Sequence, residues 1–269
     1  MAQPEKPRTT IPNPICTPRL IRVVNEWAGG VSRRMGIAFI SGTSIVNSPL
    51  FSSWEVRSVE TKYGVVTYKT LGDRVLLNRH GFGVPLPPHA INHRAHFRAI
   101  ADLGCRDVVA LNSVGSLRPD LPPGSLVSCS DYVALQQGPA TYFDEELKGG
   151  APGIANNLIP MLVASLAPEF SIQPGQIYVQ MRGPRFETQA EIRVIRQWGD
   201  VVGMTLAHEA DLCTELGLNY NSLAVVDNYA NGLVDGSAID FARFKDLVRE
   251  NQARVNGLFG KLLAVLAPQ

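Results

Sequence analysis

Little in this chain is in excess, and each thing it lacks closes off a class of protein. Neither sign of charge dominates: 25 Lys and Arg against 24 Asp and Glu leave a formal net charge of +1. That balance argues against a nucleic-acid partner, which calls for a basic surplus. No apolar run approaches the roughly 20 residues that span a bilayer, so no membrane partner is expected. The first 14 residues hold four prolines and no apolar stretch of the kind that marks a secretory signal. Cysteine is sparse, and Cys16, Cys105, Cys129 and Cys213 form no CxxC pair. Such spacing favours buried free thiols over a disulfide framework or a zinc site, and points to a reducing compartment, the cytoplasm.

What remains is an ordinary globular composition, 45% hydrophobic and 18% charged over 269 residues, enough for one sizeable core. Residues 1–34 are expected to form an N-terminal extension, polar and proline-rich at first, with an amphipathic helix between Arg19 and Gly30. From residue 35 to 269, apolar strand-like runs alternate with helix-like patterns, without repeats, low-complexity tracts or linkers. The pattern predicts a single α/β domain: a three-layer α/β/α sandwich around a mixed, partly barrel-like central sheet.

The polar residues collect where strands end. Gly36–Ile40 runs into Ser41-Gly42-Thr43-Ser44, a small-residue turn that a ligand can approach, though such a turn is more often only a turn. Arg74–Asn78 runs into Arg79-His80-Gly81. Asn78-Arg79-His80-Gly81 suits an oxyanion, and equally a surface arginine beside a capping histidine. Asp107–Leu111 leads to Asn112-Ser113-Val114-Gly115-Ser116, and Ser222–Val226 to Asp227-Asn228. Between them lies the 27-residue stretch Gly183–Glu209, in which a turn with Phe186 and Glu187, a helix pattern and a short strand tipped by Met204-Thr205 follow one another. His89, His93 and His96 share a helical face, but without a supporting acid they read as surface or interface histidines, and no metal is expected.

Taken in order, SGTS, NRHG with PPHAINHRA, NSVGSL, GPRFETQAE, VVGMT and the late Asp-Asn pair resemble the purine nucleoside phosphorylase / 5′-methylthioadenosine phosphorylase family of the trimeric type, from about Met35 onward. The resemblance implies an enzyme that cleaves the N-glycosidic bond of a purine nucleoside with inorganic phosphate, needs no cofactor, and assembles as a homotrimer or a dimer of trimers. It implies a phosphate site at Thr43, Arg79, His80, Ser113 and Thr205. Met204 would lie against the sugar, Phe186 would stack on the base, and Glu187 with Asn228 or Asp227 would read the base edge. Tyr142 or Phe143 matches a loop that reaches a neighbouring subunit's site.

An amide at 228 suits a 6-oxopurine and an aspartate a 6-aminopurine, so the choice between Asn228 and Asp227 decides the base. Phe241 stands near the position that meets the 5′ group and suits an apolar one, so 5′-methylthioinosine is expected beside inosine or guanosine. A 5′-methylthioadenosine phosphorylase and a hydrolytic or non-catalytic nucleoside-binding homologue are the alternatives. The chain departs from the family pattern at Val84, His93, His96 and His208, all beside the expected sugar and phosphate sites.

Overall fold

A computed structural model describes residues 36–42, 45, 48–135, 138, 140–234 and 241–267, without the side chains of 241–243. Thr43, the side chain of Phe241 and the helix expected between Arg19 and Gly30 therefore lie outside the described residues. Contacts group Arg34–Gln269 into one unit.

Its elements run β1 (Ile37–Ser41), β2 (Glu55–Thr61), β3 (Gly64–Leu71), β4 (Arg74–Asn78), α1 (His93–Asp102), β5 (Asp107–Ser116) and β6 (Leu126–Val133). There follow α2 (Ile159–Leu166), β7 (Ile172–Gln180), α3 (Gln189–Ile195), β8 (Val201–Gly203), α4 (Leu206–Leu216), β9 (Asn219–Tyr229) and α5 (Phe241–Val265). The strands form one mixed sheet in the order β2-β3-β4-β1-β5-β8-β7-β6-β9. A further pairing of β5 with β9 closes the last five strands into a barrel.

Side-chain alternation along the strands makes the two cores. Ala38, Ile40, Val108, Ala110, Ala224 and Val226 face one way and pack with Phe97 and Ile100 of α1 and Leu206 and Leu212 of α4. Ile37, Phe39, Val109, Leu111, Leu223 and Val225 face the other way, onto Leu162 of α2 and Val255, Phe259 and Leu262 of α5. Strands covered on both faces carry unbroken apolar runs, which is why these were legible. Cys105, Cys129 and Cys213 are buried free thiols. Among the described residues, no helix is long and apolar enough to cross a membrane.

The elements differ from expectation in several places, each for a local reason. β2 was not foreseen: it pairs only with β3 at the sheet edge, most of its residues are exposed, and so its sequence EVRSVET carries no apolar rhythm. The helical face expected to carry His89, His93 and His96 begins only at His93, where Asn92 Oδ1 accepts the Ala95 N–H at 3.0 Å as the cap of α1. The strand expected to deliver Thr205 stops at Gly203, and Thr205 takes the N-cap position of α4. By contrast β5 and β9 run past their apolar stretches to Ser116 and Tyr229, because ladder pairing continues through Asn112, Ser113 and Asn228 whatever their polarity. Their register slips once. Val114 pairs with Val226 but Gly115 pairs with Asn228, which leaves Asp227 as the extra residue of a β-bulge.

Candidate active site

The ends of β1, β4, β5, β8 and β9 converge on a cavity of about 350 Å³. It is lined by Arg79, His80, Ser113, Phe186, Glu187, Met204, Thr205 and Asn228, so eight of the residues singled out from sequence meet in one place. Gly42 of the first turn lines it too. Asp227, Tyr142 and Phe143 do not line it within the chain.

The ends of β1 and β4 are laced together first. The Arg79 N–H donates to Ser41 O at 2.8 Å, and Asn78 Oδ1 accepts the His80 N–H at 2.9 Å. Arg79 is only 2% exposed, and its guanidinium is not a free grip for an anion. Nε and Nη2 fork onto the two oxygens of Glu209, the latter at 2.9 Å, and Nη1 donates to Leu111 O at 2.7 Å. Tyr220 Oη donates to Glu209 Oε2 at 2.7 Å. An arginine has five N–H donors, so each Nη keeps one for the cavity. Burial works against the guanidinium charge, but the Glu209 carboxylate outweighs it and raises the Arg79 pKa. An anion here would meet a neutralised pair with two spare donors.

His80 is oriented by its Nδ1, 2.6 Å from Leu86 O. Burial lowers its pKa, the Leu86 carbonyl opposes that, and the Arg79 charge adds to it. The neutral ring therefore donates from Nδ1 and turns Nε2 toward Gly42, whose Cβ, if it had one, would lie 3.3 Å away. Thr205 Oγ1 accepts from Asn112 Nδ2 at 3.0 Å, and its N–H donates to Tyr178 Oη at 3.1 Å.

Opposite this polar floor, the turn before α3 presses on the strand end after β8. Gly183 has φ +64°, and a Cβ there would sit 2.5 Å from Met204 Sδ, so the turn holds Met204 in place only because this residue is glycine. A capping box of Thr188 and Glu191 starts α3, and Glu191 also holds Arg185. Phe186 thereby meets Phe244 of α5 edge-on, with centroids 5.5 Å apart. Buried Glu187 has its pKa raised by that burial, and its carbonyl accepts from Asn231 Nδ2 at 2.9 Å.

The bulge in β9 separates the two candidates for the base-reading position. Asn228 lines the cavity, its amide fixed by a 2.7 Å bond from Nδ2 to Tyr229 O. Asp227 lies behind it, accepting from Ser113 Oγ and, at 2.9 Å, from Asn251 Nδ2 of α5. Tyr142 instead donates to Arg94 O at 2.7 Å and packs on Tyr63, while Phe143 lies under Lys148.

Sequence reading missed Phe244, Asn231 and the loop Pro85–Pro88, all of which line the cavity. Phe244 stands three residues beyond Phe241 and was findable from the helical period. The loop residues carried no signal beyond their irregularity.

The profile described as the phosphorylase superfamily matches residues 37–264. The chain belongs to this superfamily. Among its relatives, a probable 6-oxopurine nucleoside phosphorylase of Archaeoglobus fulgidus is 36% identical over 221 residues, 80% of this chain and 90% of that protein. A probable S-methyl-5′-thioinosine phosphorylase of Methanocaldococcus jannaschii is 37% identical over 203 residues, 73% of this chain and 80% of that one. Methylthioadenosine phosphorylase from Schistosoma mansoni in complex with adenine superposes with a TM-score of 0.76 at 25% identity, covering 87% of this chain and 93% of that one. Membership accounts for the mixed sheet with its closed five-strand barrel.

Histidines 93, 96 and 208 of this superfamily member surround the buried ion pair. His93 Nδ1 lies 3.8 Å from Glu209 Oε1, and its ring is 5.2 Å from that of His208. Burial pushes the pKa of all three down, that of His96 to about 4, so none adds a charge beside Arg79 at neutral pH. Among the described residues, no group of His, Cys, Asp or Glu is arranged to hold a metal ion.

Breaking the pair from the acidic side strands a buried guanidinium. Glu209→Gln is expected to destabilise the fold by about 3 kcal/mol, in the range for removing one partner of a buried ion pair. Glu191→Gln, at an exposed pair, is expected to cost about 1 kcal/mol or less. Urea unfolding of both variants checks the ordering.

Proposed function

We propose that this chain is a purine nucleoside phosphorylase that prefers 6-oxopurines and accepts an apolar 5′ group, with 5′-methylthioinosine as its favoured substrate. The observation that carries the reading is the lining of one cavity, which brings the donors of Arg79 and Thr205 together with polar Asn228 and Glu187 and apolar Met204. Relatives named for 6-oxopurine nucleosides and for S-methyl-5′-thioinosine agree with it. Active chains are proposed to work as a homotrimer in the cytoplasm, with Tyr142 or Phe143 serving a neighbouring site. Thr43 is proposed to join the phosphate site from the turn after β1.

The chemistry follows from what the bond needs. A phosphate oxygen bonds to C1′ as the C1′–N9 bond breaks, and the bonding pair leaves with the base. The sugar passes through an oxocarbenium-like state, which the phosphate below it stabilises, and Met204 keeps water from that face. Spare N–H groups of Arg79 and the Thr205 hydroxyl hold the phosphate, and His80 adds a charged donor once a dianion beside it favours its protonated form.

Negative charge building on the base is met by the free N–H of Asn228, given to O6, while the Glu187 carboxylate accepts from N1–H. A 6-aminopurine would set an amino hydrogen against the Asn228 N–H. The apolar rim of Leu86 and Phe244 suits a methylthio group and leaves a 5′-hydroxyl with little to bond. Inorganic phosphate is a co-substrate, and the reaction so drawn draws on no cofactor.

Purified protein incubated with inosine or 5′-methylthioinosine is expected to release base only when phosphate is present, with a sugar 1-phosphate as the other product. Equal release without phosphate would mean a hydrolase instead. Asn228→Asp is expected to move kcat/KM toward the 6-amino nucleoside by about tenfold, or roughly 1.4 kcal/mol; an unchanged ratio removes Asn228 as base reader. Phe244→Ala is expected to lower kcat/KM for 5′-methylthioinosine about tenfold relative to inosine, the scale of one or two buried methylene equivalents. A matched loss on both substrates would take Phe244 out of 5′ recognition.

A further inference from the structure

Two hydroxyls line the phosphate end of the cavity, and the structure sets them with opposite polarity. Thr205 Oγ1 accepts from Asn112 Nδ2 at 3.0 Å, so its own hydrogen remains to be given to a ligand. Ser113 Oγ does the reverse. It donates its hydrogen to Asp227 Oδ2 and can turn only lone pairs toward the cavity.

Asp227 is placed to enforce this. It is 1% exposed, it is the bulge residue of β9, and its second oxygen already accepts from Asn251 Nδ2 at 2.9 Å. A carboxylate is an acceptor only, so both neighbours must donate to it, and Ser113 has a single hydrogen.

Whatever faces Ser113 must therefore bring a hydrogen of its own. His80 Nε2 also presents a lone pair, but a histidine can take up a proton and become a donor. Ser113 has no such freedom while Asp227 holds it. Hydrogen phosphate fits a site of several donors and one fixed acceptor, since it has oxygens to accept and one P–O–H to give. Sulfate has the same shape and charge at neutral pH but no hydrogen, and it would set an anionic oxygen against the Ser113 lone pairs.

We propose that Ser113, oriented by Asp227 and Asn251, accepts the P–O–H of hydrogen phosphate, and that this arrangement selects phosphate against sulfate. Asp227 acts as a positioning residue that never touches the substrate, a role different from reading the base. The inference rests on the phosphorolytic reading above and goes beyond it by naming the protonated form of the anion.

The test is the ratio of the sulfate inhibition constant to the phosphate KM. Wild type is expected to bind sulfate much more weakly than phosphate. In Asp227→Asn the amide can donate to Ser113 and free its hydrogen to turn into the cavity. Ser113→Ala removes the acceptor outright. Both are expected to lower the ratio about tenfold, equivalent to roughly 1.4 kcal/mol, while Ser113→Thr, which keeps the hydroxyl, retains it. Calorimetric titration of each anion in the absence of nucleoside gives the same ratio for any variant too slow to assay, and Ser113→Ala serves if Asp227→Asn does not fold. An unchanged ratio in the variants, with base release still phosphate-dependent in wild type, overturns the proposal and leaves the phosphorylase reading intact. Base release independent of phosphate in wild type overturns both.

Discussion

The buried pair of Arg79 and Glu209 is the interaction on which the rest of the site depends. It ties the residue after β4 to the first turn of α4, and through Leu111 O and Tyr220 Oη it also reaches β5 and β9. Four elements are thereby held at the spacing the cavity requires. Taking both charges out of water is costly, and a pair of apolar residues would pack there with less penalty. What the pair supplies instead is a guanidinium that cannot swing away and still keeps donors turned to the cavity. Glu209 lies in the first turn of α4, where the helix dipole favours negative charge. The three histidines around the pair keep its net charge near zero, because burial holds them neutral. Their presence at 93, 96 and 208 is thus compatible with a working ion pair.

Which parts could be read from sequence follows from what each residue packs against. β1, β5 and β9 are covered on both faces, so their runs of Ile, Val, Ala and Leu marked them at once. β2 is a ribbon at the edge with water on its sides, and no local pattern reports a strand of that kind. The polar residues at strand ends were legible as a group because so many fell at the same topological edge, where open α/β sheets bind ligands. The partners of those residues were not legible. Glu209 stood in the sequence as part of a helix pattern 130 positions from Arg79, and only the closure of the barrel brings it to the guanidinium. Phe244 illustrates a smaller limit: its three-residue spacing from Phe241 was visible, but which turn of the helix meets the cavity depends on where the helix docks.

The doubt between Asp227 and Asn228 shows the same limit more sharply. In a regular strand these neighbours would point to opposite faces, and sequence alone cannot say which face is which when the register is unknown. A bulge adds a second uncertainty, because one extra residue re-aims everything after it. Here the bulge falls at Asp227 itself, between the Val114–Val226 and Gly115–Asn228 pairs.

That placement gives two adjacent residues separate surroundings. Asn228 opens on the cavity, where Gly115 makes room for it: a Cβ on that glycine would come within 3.3 Å of Asn228 Nδ2. Asp227 is turned back onto Ser113 and Asn251 and does not line the cavity. A carboxylate left facing the base would present only lone pairs to the O6 of a 6-oxopurine and would repel the charge that forms as the bond breaks. Kept out of the cavity lining, the same carboxylate instead takes the hydrogen of the Ser113 hydroxyl. In the proposed reaction, one extra residue in one strand thus keeps an acid near a bond-breaking step that builds negative charge, yet prevents it from opposing that charge.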